Sequence, residues 1–110
     1  MEINYKTRKL EKSFTDTKVM LASYGSRARK VNQRIKELKA AANLEVMKTI
    51  PAANCHLLKV DRSNQFAVDI PANWRIIFEP DHDPIPVNKD GSIDCSAITK
   101  ITIIEVKDYH

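Results

Sequence analysis

A chain of 110 residues, 43% hydrophobic and 29% charged, has the size and make-up of one globular domain spanning 1–110, which excludes a second domain and a disordered polymer. No apolar run approaches the roughly 18 residues of a membrane span, and the opening "MEINYKTRKLEKSF" is charged where a signal peptide is apolar, so a cytoplasmic protein with no membrane partner is expected. The net charge of +4 is unevenly placed: residues 1–75 carry 15 Lys and Arg against 7 Asp and Glu, and residues 76–110 carry 3 against 7. A basic front of this kind suits RNA, DNA or an acidic protein, and equally a solvated helical face.

In chain order, "MEINY" reads as a short opening strand. "TRKLEKSF" places Leu10 and Phe14 four apart on one helical face, and "TDTKVMLASYG" continues as helix until Gly25 stops it. Ser26 is the expected N-cap of the clearest helix, "RARKVNQRIKELKAAANL". There Val31, Ile35, Leu38 and Ala42 form the apolar stripe, with Arg27, Arg29, Lys30, Arg34, Lys36 and Lys39 on the other faces. Asn43 is a candidate breaker, and "LEVMKTI" before Pro51 supplies another turn or two of helix.

From residue 55 the period changes to that of strands. "CHLLKV", "QFAVDI" and "WRIIFEP" are short, rich in β-branched and aromatic residues, and separated by "DRSN" and "PAN", which are hairpin spacings. The stretch at 80–97, with its prolines, aspartates and a "DG" pair, reads as an exposed excursion with a small turn of its own. "ITKITIIEV" is the last strand, with Ile101, Ile103 and Glu105 expected on one face and Thr102, Ile104 and Val106 on the other. The expected fold is α+β: two to three N-terminal helices packed on one face of a four- to five-stranded antiparallel sheet.

Cys55 and Cys95 lie forty residues apart without a CxxC, the pattern of ordinary reduced thiols. There is no acidic pair at metalloenzyme spacing, no nucleophile elbow and no glycine-rich phosphate loop, so neither metal nor cofactor is expected. Acid, base and cationic groups instead gather in the strand half: His56, Lys59, Asp61 and Arg62 around the first meander strand, Arg75 inside the third, and Asp108, Tyr109 and His110 after the last. Each has a plain reading: a core or surface histidine, an arginine paired with Asp69, a frayed tail. Strand alternation can also bring several of them to one sheet face, if the last strand pairs beside the third. Histidines and cations without a metal suit cleavage of RNA through its own 2′-hydroxyl, which needs only a base, an acid and charge stabilisation.

The segments "HLLKVDRSNQFAVDIPANWRIIFEP" and "EVKDYH" resemble those of the HigB toxins of the RelE/ParE superfamily. The resemblance covers 55–78 and 101–110 by motif and the helical half by layout. It implies a RelE-like fold and the toxin of a type II toxin–antitoxin system, a ribosome-dependent mRNA endonuclease. Its partners would be a helix-turn-helix, HigA-like antitoxin and messenger RNA on the ribosome, with ribosomal RNA contacted through the basic helix at 26–42. It also implies His56, Asp108, Tyr109 and His110 as the catalytic set, with Lys59, Arg62 and Arg75 holding phosphate and the assignment of acid and base left open. A ParE-like, gyrase-directed toxin and a catalytically decayed binding protein are the alternatives. Val60 and Asn64 stand where the family has glycine; asparagine accepts the left-handed conformation, and a β-branched valine does not.

Overall fold

The computed structural model describes residues 1–58 and 64–108. The elements follow as β1 (Glu2–Tyr5), α1 (Arg8–Thr15), α2 (Thr17–Tyr24), α3 (Ala28–Ala40), α4 (Leu44–Met47), β2 (His56–Leu57), β3 (Phe66–Ile70), β4 (Trp74–Pro80) and β5 (Lys100–Asp108). The strands form one sheet in the order β1-β5-β4-β3-β2. This is the α+β layout expected, three main helices and the single turn of α4 against five strands. Among the described residues no helix is long and apolar enough to cross a membrane.

Local chemistry sets the helix ends, and it departs from the sequence reading at several of them. Asp16 breaks the first helical stretch in two: its backbone N–H closes α1 on Lys12, while its carboxylate accepts from the N–H groups of Lys18 and Val19 to open α2. Gly25 does stop α2, at φ +53°, but Ser26 caps nothing, because Gly25–Arg27 is a 3₁₀ turn and α3 begins at Ala28. α3 also ends at Ala40, so Ala41 rather than Ala42 is buried. Asn43 is a starter as well as a breaker: its side chain accepts from Val46 N–H and caps α4.

A further departure is Arg34, which the charge pattern assigns to the outer face. It is 2% exposed. Positions 31, 34, 35 and 38 are neighbours on one helical stripe, so the residue between Val31 and Ile35 faces the core with them.

β2, β3 and β4 make the expected antiparallel meander, and β5 pairs antiparallel beside β4. The sheet is not wholly antiparallel, because β1 runs parallel to β5 from Glu2↔Lys100 to Tyr5↔Ile103. Such a pairing needs a long connection, and here the helical layer and the meander supply it. One sheet face carries Phe66, Val68, Ile70, Ile76, Phe78, Ile101 and Ile103, packed with Val31, Ile35, Leu38, Leu44 and Met47 from the helices. Burying each such side chain stabilises the fold by about 1.5–3 kcal/mol. The excursion after β4 closes on itself through a Val87↔Ile93 bridge and a turn at Gly91, as the "DG" pair suggests.

Candidate active site

Paired residues in adjacent strands share a face, so register alone shows which side chains lie together. One row runs His56–Ala67–Ile77–Glu105 across four strands, and the next runs Asp69–Arg75–Lys107 across three. Both rows lie on the face turned away from the helices; Ala67 and Ile77 are fully buried yet stand apart from the helix-side cluster. His56 and Arg75 are two strands and two residues apart, roughly 12 Å between backbone positions.

A β-bulge in β5 decides what the last strand contributes. Ile77 pairs with Glu105 but Phe78 pairs with Ile103, leaving Ile104 without an opposite residue. Past this point the alternation reverses. Val106 packs into the helix-side core, against expectation, and Glu105 and Lys107 join the Arg75 face. Asp108 then pairs with Trp74, one row beyond Arg75 and on the alternate side of the strand. Trp74 itself carries the Arg27 guanidinium 4.8 Å above its ring.

Hydrogen bonds tie the candidate groups into one network. Asp69 accepts from Arg75 Nε through Oδ1 at 3.2 Å and from Asn54 Nδ2 through Oδ2 at 2.9 Å. The carbonyl of Asn54 lies 2.7 Å from His56 Nδ1. Beneath them Arg34 donates from Nε to the Asp69 carbonyl at 2.9 Å, from Nη2 to the Ala52 carbonyl at 3.0 Å and from Nη1 to Glu37 at 3.2 Å. A cavity of about 320 Å³ opens beside this network, lined by Ala52, Asp69, Pro71, Asn73, Trp74 and Arg75 among others.

Of the residues singled out in the sequence, the structure brings His56 and Arg75 to one face and sets Asp108 beside Trp74. Lys59, Arg62, Tyr109 and His110 lie outside the described residues. Asp69 was visible in sequence as a partner for Arg75, and the ion pair is present. Asn54 and Arg34 were missed. The helical spacing of Arg34 was a usable signal; Asn54, left-handed at φ +44°, had none beyond its position before the strand. Among the described residues no group of three or more His, Cys, Asp or Glu side chains is placed to hold a metal ion.

Comparison in three dimensions gives a likeness where sequence comparison gives none. No family model and no curated protein matches the chain. A YoeB/ParE toxin from Agrobacterium tumefaciens superposes with a TM-score of 0.52 over 100% of both chains, at 13% identity. The chain has the fold of a YoeB/ParE toxin. At that identity the likeness is one of architecture: the YoeB/ParE fold accounts for the helical layer and the five-stranded sheet, and leaves the chemistry to the side chains.

Proposed function

We propose that this chain is the toxin of a type II toxin–antitoxin pair, and that it is an HigB-like endoribonuclease cutting messenger RNA at the ribosome. The observation that carries this reading is the shared face of His56 and Arg75, each hydrogen-bonded in place, on a YoeB/ParE fold. In RNA the 2′-hydroxyl is the nucleophile. A base removes its proton, the oxygen attacks the adjacent phosphorus, and the P–O5′ bond breaks as an acid protonates the leaving oxygen, giving a 2′,3′-cyclic phosphate and a 5′-hydroxyl. General acid and base groups contribute about 10²–10⁴ each, and cations at the phosphorane add an electrostatic share of similar size.

In this reading His56 and His110 make the proton transfers, Asp108, on the alternate side of β5 from His56 and Arg75, orients rather than donates, and Tyr109 stacks on a base or donates to phosphate. Arg75, Lys59 and Arg62 hold the scissile phosphate. Arg29, Lys30, Lys36 and Lys39, exposed on α3, face ribosomal RNA. A helix-turn-helix, HigA-like antitoxin is the neutralising partner.

Induction in a bacterial host tests the reading. Growth arrest with new messenger ends mapped at ribosome-bound positions is expected, relieved by the antitoxin and lost in His56→Ala and His110→Ala. Arrest with intact messengers and a DNA-damage response would replace it with a gyrase-directed toxin. Toxicity unchanged in both histidine variants would remove the proposed site.

A further inference from the structure

We infer that Asp69 is a positioning residue that fixes the tautomer of His56, through Asn54, and the orientation of Arg75, so that His56 enters the reaction as the base. This inference rests on the proposed ribonuclease reading for its catalytic part; its structural part stands on the hydrogen bonds themselves.

The argument begins at the imidazole. Its partner at Nδ1 is the main-chain carbonyl of Asn54, 2.7 Å away, and a carbonyl oxygen can only accept. Nδ1 therefore carries the proton, and in the neutral ring Nε2 holds the lone pair, which is the form a base requires. The direction of that carbonyl depends on Asn54, whose left-handed backbone ends the 3₁₀ turn Pro51–Ala53 just before β2. Asp69 Oδ2 holds Asn54 by accepting from its Nδ2 at 2.9 Å.

The same carboxylate accepts with its other oxygen from Arg75 Nε at 3.2 Å, which fixes the direction of the guanidinium along the sheet face. Arg34 fixes the frame by holding the main-chain carbonyls of Asp69 and Ala52 together. Because that hold is on the backbone of Asp69, a change in the Asp69 side chain leaves it in place. One carboxylate in the middle of an otherwise apolar strand thus sets two groups of the site at once.

The experiment combines two-bond ¹H–¹⁵N NMR of the histidine rings with cleavage of ribosome-bound messenger, for the full chain and for Asp69→Ala, Asp69→Asn and Asn54→Ala. In the unchanged protein His56 is expected as the Nδ1–H tautomer. His82, whose Nε2 accepts from Thr99 N–H at 3.1 Å, serves as an internal reference of the same tautomer. Asp69→Ala and Asn54→Ala are expected to let His56 populate both tautomers while His82 is unmoved, and to lower kcat by about 10²-fold. Asp69→Asn keeps an oxygen for Asn54 and is expected to restore the tautomer and most of kcat, with KM raised through Arg75.

A His56 found chiefly as Nε2–H, or a tautomer unaltered in both alanine variants, would overturn the inference. If the tautomer responds as expected but the unchanged protein cuts no RNA, the positioning network stands and the ribonuclease reading falls. If RNA is cut and kcat is equal in all four proteins, the role of Asp69 falls and the ribonuclease reading stands.

Discussion

Arg34 reaches from the middle of α3 to the main-chain carbonyl of Asp69, donating from Nε over 2.9 Å, and its side chain is 2% exposed. The helix with the most basic sequence therefore uses one of its cations as an internal clamp between the helical layer, β3 and the 3₁₀ turn at Pro51–Ala53. A buried guanidinium is tolerated because all three of its nitrogens donate, two to carbonyls and one to Glu37.

Replacing it should be costly. Arg34→Met removes the clamp and leaves two carbonyls short of a donor, at about 1–3 kcal/mol each. Urea unfolding is expected to show a loss of about 2–6 kcal/mol at unchanged slope. Arg34→Lys, which cannot reach three acceptors in one plane, should lie between the two.

The turn from β3 to β4 depends on Asn73 at φ +66°. Asn73→Gly should leave stability within a few tenths of a kcal/mol, and Asn73→Val should cost about 1–2 kcal/mol, since a β-branched side chain collides with the following carbonyl in this conformation. A shift in the thermal midpoint for valine alone would show it.

Phe78 is fully buried and its ring stacks with that of Phe66 at 6.0 Å between centroids. Phe78→Ala should lower stability by about 3–5 kcal/mol, the combined loss of transfer free energy and the cavity left behind. Chemical denaturation would detect this as a large fall in midpoint.

Burial pushes the Cys55 thiol from 9.0 up to about 12, with nearby Cys95 adding to the rise and Lys48 opposing it. The folded value lies above the unfolded one, so the thiol's contribution is fully present below pH 9.0 and is lost as pH rises toward 12. Between those limits stability should fall more steeply than in Cys55→Ala, by up to about 1.4 kcal/mol per pH unit. Denaturation midpoints for the two proteins, from about one pH unit below the thiol's ordinary value to about two units above it, would measure the difference.

If α3 faces ribosomal RNA, Lys36→Glu together with Lys39→Glu should weaken cleavage at the ribosome mainly through KM. Both side chains are exposed, so the fold should be unaffected. Raising the salt should shrink the difference between the two proteins, as counterion release requires.

Much of this molecule was legible one segment at a time. The period-two stretches at 66–70 and 74–80, the helix at Val31–Leu38, the stop at Gly25 and the turn at Gly91 are local consequences of side-chain shape and backbone freedom. Asn64 likewise takes φ +62°, a left-handed conformation that asparagine accepts. The ends of elements were less legible, since Ser26 and Asp16 are both good caps and only the geometry of the neighbouring turn selects one.

The candidate site divides along the same line. Sequence by itself determined which chemistry is present: histidines, cations, a carboxylate inside an apolar strand, and a basic helix. Tertiary structure alone decided which of these groups meet. One unmatched residue, Ile104, exchanges the faces of Glu105 and Val106, because strand alternation has a period of two and any single insertion reverses it. Arg34, counted among surface charges by composition, becomes the clamp beneath Asp69, because whether a cation is buried depends on acceptors 18 and 35 residues away in the chain.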